Sequence, residues 1–435
     1  MTETIEAVAR GVREGRLDPV ELAEHALRRA EEAAALGCVV HLDASYALRS
    51  ARDVARSRQG ALAGVPLLVK EIIEVAGMPH RCGSRVFAGR IADTDAEVVQ
   101  RARAAGAVVI GLSHTHEFAY GCTGTSNVEG PCRNPRDPSR MTGGSSSGSA
   151  AAVAAGIVPL ALGTDTAGSV RIPAALCGVV GVKPARETLP RGGVFPLSTS
   201  LDHVGVLAGS VADARYAVEA LSGGRRTGRI GPPRLGVLTN PEPHDNAADV
   251  AVVYEQTVER LIAAGATTVG VRLPEWARFT TASLDLQGPE AAAAHAETFP
   301  LLADDYQPDV RERLLAAAEV PGWRYVLASQ LAAALTAETD QVLSTVDAVV
   351  LPTVPITAPL LGAVHAEVAS GRHSVRDLLL RNNRMANVTG HPALSLPMPT
   401  PGRPAGLQLI AADDHRLFAV AEWVDRIINN REGHQ

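Results

Sequence analysis

The run Gly143-Gly144-Ser145-Ser146-Ser147-Gly148-Ser149 concentrates hydroxyl groups on a backbone loosened by glycine. Such a run can be a flexible linker, a phosphate cradle or a catalytic loop. A linker would not lead straight into the alanine-rich stretch 150–155, with folded-looking chain on both sides. A phosphate cradle of Walker type needs a lysine that is missing here, and no dinucleotide-binding glycine fingerprint is present. A catalytic loop is left. Gly144-Ser145-Ser146-Ser147-Gly148 also fits the G-x-S-x-G elbow, which sets its serine directly after a strand. Residues 133–140, with Pro135 and Pro138, read as turn, so Ser146 is not expected to be an elbow nucleophile. Two further groupings compete. His114 and His116 follow the apolar run 108–112, and H-x-H at a strand end can bind zinc in a metal-dependent amidohydrolase. His203, His391 and His415 complete no spaced ligand set, so His116 reads as a structural hydrogen-bonding residue. Asp202-His203 offers two members of a Ser-His-Asp triad, but residues adjacent in sequence seldom orient one another productively.

Two segments share the context of the glycine-serine run. Upstream is Gly64-Val65-Pro66-Leu67-Leu68-Val69-Lys70, and downstream is Gly163-Thr164-Asp165-Thr166-Ala167-Gly168-Ser169-Val170-Arg171-Ile172-Pro173. Together they resemble the amidase signature family, with the motif spanning residues 140–184. Similarity extends to Glu117-Phe118-Ala119-Tyr120-Gly121, Ser200-Leu201-Asp202-His203-Val204-Gly205, Thr389-Gly390-His391-Pro392-Ala393 and Gly406-Leu407-Gln408-Leu409, and is weakest over 223–322. The resemblance implies a Ser–cis-Ser–Lys triad: Ser169 as nucleophile, Ser145 as bridging serine after a cis peptide bond to Gly144, and Lys70 as base. It implies an oxyanion hole from the backbone N–H groups of Thr166, Ala167, Gly168 and Ser169. It also implies a supporting network of Ser146, Thr164, Asp165 and Arg171, and no metal or organic cofactor. Ser147, Glu71, Ala167, Leu112 and His114 depart from the commonest family residues; the last lies toward the substrate side.

An amide is a poor electrophile with a poor leaving group, so its cleavage needs an activated hydroxyl, anion stabilisation and a proton for the departing nitrogen. A lysine supplies the base only when neutral, and apolar Val69, Ile72 and Ile73 would depress its pKa by desolvation. The expected reaction is hydrolysis of a small-molecule carboxamide through an acyl-enzyme on Ser169, releasing ammonia or a small amine. The family alternative is the ammonia-releasing component of tRNA-dependent amidotransferases. The Tyr-rich later region of that component is not found over 309–331, so a stand-alone hydrolase is expected. Arg171 is read equally as a structural partner of Asp165. Malonamidases carry arginine three residues after the nucleophile, where this chain has Ile172, so a malonamate clamp is not expected. Tyr120, Gly121, Cys122 and Thr123, with residues 322–325, are the expected substrate pocket.

The elements that must position these groups alternate along the chain. Asp18-Pro19 with Glu21 opens a helix through residue 30. Thr94 with Glu97 forms a capping box for a helix through 104. Helices are expected at 147–155, 249–264, 376–388 and 416–428. Buried strands are expected at 65–69 and 108–112, and further strands at 235–238, 267–271, 348–351, 393–396 and 407–411. This pattern predicts an α/β fold: one large mixed, mostly parallel β-sheet covered by helices on both faces. The chain reads as a single domain over 1–435, with a signature core at 60–210 and a variable substrate-side region at 223–322.

Composition sets outer bounds. The 435 residues carry a net charge of −6, which gives no general attraction to nucleic acid or to anionic membrane. The pair Arg225-Arg226 reads as solvated loop. Neither a signal peptide nor a spanning segment is visible, so a cytoplasmic protein is expected, with a homodimer left open. Five scattered cysteines lack C-x-x-C spacing and read as buried thiols. Aromatic residues make up only 3% of the chain, which disfavours long fatty acyl amides as substrates.

Overall fold

In the computed structural model, residues 3–224 and 230–429 are described; Arg225 and Arg226 lie outside them. In chain order the strands are β1 (Val39–Leu42), β2 (Pro66–Lys70), β3 (Val108–Ser113), β4 (Arg133–Asn134), β5 (Asp137–Met141), β6 (Leu160–Asp165), β7 (Val180–Lys183), β8 (His203–Ala208), β9 (Arg234–Leu238), β10 (Thr267–Val271), β11 (Ala348–Pro352), β12 (His365–Val368), β13 (Gly371–Ser374), β14 (Ala393–Pro397) and β15 (Gly406–Ile410). Eleven of them form one sheet in the order β1-β3-β2-β6-β8-β7-β14-β15-β11-β9-β10. Its strands come from both ends of the chain.

The sheet is mixed, as expected, but its parallel pairings are confined to β3-β2-β6 on one side and β11-β9-β10 on the other. The central run from β6 through β8, β7, β14 and β15 to β11 is antiparallel throughout. The expectation of a mostly parallel sheet is corrected there. It missed that β7 and β8, and β14 and β15, are neighbours in both chain and sheet. Paired strands joined without a crossover helix run antiparallel, whereas β2-β3 and β9-β10 have the helices Glu97–Ala104 and Ala248–Ala263 between them and run parallel.

Strands β2, β3, β6, β8, β11 and β15 are buried along their whole length; β2, β3, β11 and β15 match expected strands, whereas β6 and β8, which carry Thr164, Asp165 and His203, do not. Helices cover both faces. Asp18 caps Pro19–Glu32 by accepting from the Val20 N–H at 2.8 Å. The Thr94 capping box is not made: Glu97–Ala104 starts after Ala96 with no side-chain cap. The helix expected at 376–388 is two, Val375–Arg381 and Arg384–Thr389, broken at Asn382 and Asn383, whose amides bond the carbonyls of Pro352 and Thr353. The stretch 133–140, read as turn, is a small hairpin of β4 and β5 with Pro135-Arg136 at its tip.

Three features bring the chemistry together. Lys70 ends β2 and Asp165 ends β6, and these strands are parallel neighbours, so both residues emerge at the same edge. Loops at the carboxyl ends of parallel strands are where such sheets place ligands. The helix Ser147–Ala154 lies against them with almost every residue buried. It fits only because its residues are small. A Cβ on Gly148 would stand 2.2 Å from the Cys38 carbonyl oxygen and 2.3 Å from the His114 nitrogen.

Candidate active site

Lys70 is fully buried among the apolar residues of β2 and its flanks. Its side-chain nitrogen donates to Ser145 Oγ at 2.6 Å and to Thr164 Oγ1 at 2.8 Å. Burial pulls its pKa down to about 7, against the opposing pull of Asp165 and Asp202. A lysine in this state is neutral in a large fraction of molecules near neutral pH, as a base must be.

Ser145 sits on the loop between β5 and the helix Ser147–Ala154, after a cis peptide bond from Gly144. The Gly144 N–H donates to the Cys122 carbonyl at 2.8 Å, and the Ser145 carbonyl accepts from the His116 N–H at 3.1 Å. Ser146 does different work. Its hydroxyl donates to the Thr164 carbonyl and accepts the Thr164 N–H, both at 3.1 Å, clamping the loop to β6. Its N–H donates to the Ser169 carbonyl at 3.0 Å, so the two serine loops are tied through the backbone. Ser146 is a brace, with its hydroxyl spent on backbone.

Ser169 lies between β6 and the helix Arg171–Cys177, almost fully buried. The turn before it is organised by Asp165. This carboxylate accepts the N–H groups of Gly168 at 2.7 Å and Val170 at 3.1 Å. Arg171 completes it with Nε at 3.0 Å and Nη2 at 2.9 Å, both side chains fully buried. Burial alone would raise the Asp165 pKa, but Arg171 holds it below the usual carboxylate range. Arg171 then reaches Gln408 and Asn387, each at 2.6 Å, so its fork is consumed inside the protein. It is a structural partner of Asp165, one of its two expected roles.

The four-donor oxyanion hole is revised by this turn. The Gly168 N–H is given to Asp165 and is not free for an oxyanion. The N–H groups of Thr166, Ala167 and Ser169 make no hydrogen bond within the chain, among the described residues. Gly168 matters for its conformation instead. Its φ is +117°, and a Cβ would stand 2.6 Å from Asn383 Cβ.

Asp202 and His203 do not form a triad with a serine. Asp202 accepts from Thr166 Oγ1 at 2.6 Å and from the N–H groups of Leu197 and Ser198 at 2.9 Å each. Its pKa is raised to about 6 by burial. His203 Nδ1 bonds the Leu201 carbonyl at 2.7 Å. The H-x-H pair also diverges. His114 spans Ser147 Oγ at 2.7 Å and the Gly130 carbonyl at 2.9 Å, whereas His116 Nε2 pairs with Asp309 at 3.1 Å.

Two cavities flank the site. One is lined by Thr164, Thr166, Phe195, Asp202 and His203 among others. A second, narrower one contains Ser169 itself with Tyr120, Gly121, Cys122, Ala167 and Arg376. Three of the four expected pocket residues line it. Thr123 does not; its hydroxyl turns to Thr125 at 2.8 Å. From 322–325, Arg324 reaches only the outer pocket beyond Tyr120, pairing there with Asp285. Leu197, Gln287, Arg376 and Leu380 were missed as pocket residues, because nothing local in sequence links them to Ser169. Asn387, which donates to the Asp165 carbonyl at 2.8 Å and to Oδ1 at 2.9 Å, was also missed. Its signal was faint: Asn383 and Asn387 stand four apart, a spacing that shares one helix face.

Known proteins share this arrangement of sequence and fold. The family model described as Amidase matches residues 21–417. AtzE of Pseudomonas sp. (strain ADP), named as a 1-carboxybiuret hydrolase subunit, is 33% identical, with 94% of each chain covered. A glutamyl-tRNA(Gln) amidotransferase subunit of Symbiobacterium thermophilum is 32% identical over 96% of this chain and 95% of that one. A crystal structure of an amidase superposes with a TM-score of 0.93 and 34% identity, covering 98% of this chain and all of the other.

Proposed function

Since the chain belongs to the amidase signature family, a family of hydrolases acting on carbon–nitrogen bonds, we propose that it cleaves a small carboxamide through an acyl-enzyme on Ser169. The observation that carries this is the buried Lys70 at 2.6 Å from Ser145 Oγ, on a loop whose next N–H holds the Ser169 carbonyl at 3.0 Å. The Ser169 hydroxyl gives its proton toward Ser145 as its oxygen attacks the carbonyl carbon, and Ser145 passes a proton to neutral Lys70. The developing oxyanion is met by the free N–H groups of Thr166, Ala167 and Ser169; one such donor is worth roughly 10²–10³ in rate. The proton returns through Ser145 to the departing nitrogen, which leaves as ammonia or a small amine. Water then attacks the ester by the same relay and frees Ser169. Ser146, Asp165 and Arg171 hold the two loops in place without touching the reacting atoms, and Thr164 Oγ1 steadies the Lys70 amine at 2.8 Å.

The test is covalent. A fluorophosphonate should label Ser169, as read by peptide mass spectrometry, and Ser169→Ala should abolish both labelling and ammonia release across a panel of amides. An adduct on another residue would overturn the assignment.

A second reading has support of its own: two relatives are named as subunits, and the helix Gly322–Leu343 exposes Trp323, Val326 and Leu327. On that reading the chain releases ammonia for a partner. Glutamine hydrolysis that appears only with a second chain would favour it over the stand-alone amidase.

A further inference from the structure

The pocket that holds Ser169 also holds an arginine whose charge the protein leaves largely unused. Arg376 is the second residue of the helix Val375–Arg381 and lines both the Ser169 cavity and the wider pocket outside it. Tyr120 is the other residue common to the two, so together they flank the passage between them. The Nε of Arg376 is buried and has no hydrogen-bond partner among the described residues. Among the described residues the carboxylate that comes within 4 Å of its guanidinium is that of Asp377, 3.9 Å from Nη1 and itself 68% exposed, too far for a hydrogen bond.

The other charges around the passage do not neutralise it. Asp309 is engaged by His116 and by Arg313 at 2.8 Å. Asp285 is held by both nitrogens of the Arg324 fork, at 2.5 and 3.0 Å. Glu312 is exposed on the outer rim. Arg384 is buried, with Thr280 Oγ1 at 3.3 Å as a side-chain partner, and its positive charge adds to that of Arg376 rather than opposing it. The neutral side chains here, Gln287 and Cys122, cannot balance two guanidinium groups.

We propose that Arg376 determines specificity in the Ser169 pocket by binding a carboxylate carried on the acyl side of the substrate, so that the substrate is an acidic amide. This rests on Ser169 being the nucleophile. A guanidinium with an unused edge offers parallel N–H donors that match a carboxylate. An anionic group at the passage would also be drawn inward by the surplus positive charge.

The experiment compares the monoamides of succinic and glutaric acid with the same amides carrying a methyl ester in place of the acid. The wild type is expected to favour the acids. Arg376→Gln should lower the acid-to-ester ratio of kcat/KM by about 10–100-fold, the usual consequence of losing a hydrogen bond to a charged group, mainly through KM. Arg376→Lys should restore part of the ratio. A wild type without preference for the acids, or an Arg376→Gln variant with an unchanged ratio, overturns the carboxylate assignment. It does so without touching the amidase reading if esters are still turned over and Ser169 is still labelled. Failure of labelling at Ser169 would sink both together.

Discussion

Lys70 is the residue on which the proposed relay can be tested most sharply. An ordinary lysine, titrating at about 10.5, is neutral in only about 3 of 10⁴ molecules at pH 7. Burial brings Lys70 down to about 7, so about half the molecules hold a neutral amine at that pH, a gain of ~10³ in competent base. The wild-type kcat/KM for amide hydrolysis, followed by ammonia release, should therefore rise about tenfold per pH unit up to about pH 7 and flatten above. Two other buried groups titrate nearby: Glu117, raised by burial to about 7, and Asp202, raised by burial to about 6. Lys70→Ala separates them. It should lower kcat/KM by roughly 10²–10⁴-fold on the plateau, the range for a lost general base, and abolish the limb near pH 7. Glu117→Gln should leave the limb in place. A limb near pH 7 that survives in Lys70→Ala would refute the reasoning. Stability gives a second reading of the same shift. The Lys70 pKa is lower in the folded state, so the unfolded chain binds more protons between about pH 7 and 10.5, and stability rises with pH across that window. Lys70→Met should remove this rise, worth at most about 5 kcal/mol, in denaturant titrations.

The remaining expectations concern the frame around the site. Arg171→Met leaves the Asp165 carboxylate buried without its cation and should cost about 3–5 kcal/mol in a denaturant titration; a loss below about 1 kcal/mol would mean the pair does not brace the nucleophile turn. Gly168→Ala must hold φ +117° with a Cβ 2.6 Å from Asn383 Cβ, so it should destabilise by about 1–3 kcal/mol and slow turnover; wild-type melting temperature and rate would contradict that. His203→Ala should keep activity within about tenfold, whereas loss of about 10⁴, the scale seen when triad geometry is damaged, would revive a Ser-His-Asp mechanism. Activity should survive exhaustive chelation, and loss restored by added zinc would revive the metal reading of His114 and His116.

Much of this site was legible locally. The segment ending in Lys70, the serine-rich loop and the 163–173 motif were each readable as short strings, and each carries its chemistry within a few residues of a strand end. Buried strands were readable for the same reason, since a strand covered on both faces is an unbroken apolar run. What failed was contact between distant segments and the direction of single groups. The Gly168 amide was expected from the family resemblance to face an oxyanion, but a short motif does not show where one N–H points; Asp165, three residues earlier, captures it. The break at Asn382 and Asn383 was hidden because asparagine tolerates a helix, and only the carbonyls of Pro352 and Thr353 make leaving it favourable.

By itself, then, the order of residues determined the candidate reacting groups, the apolar surroundings of Lys70 and the α/β character, because these follow from side-chain chemistry and short-range pattern. Tertiary structure decided the rest. It set β2 beside β6 so that Lys70 meets Thr164, laid the serine loop against the same edge so that Lys70 meets Ser145, and spent Arg171 on Asp165, Asn387 and Gln408. It also left the Arg376 Nε beside the Ser169 pocket without a hydrogen-bond partner among the described residues. Those outcomes depend on which groups remain unpaired after the chain has packed, and pairing across some 200 residues of chain, as between Arg171 and Asn387, is written in no local segment.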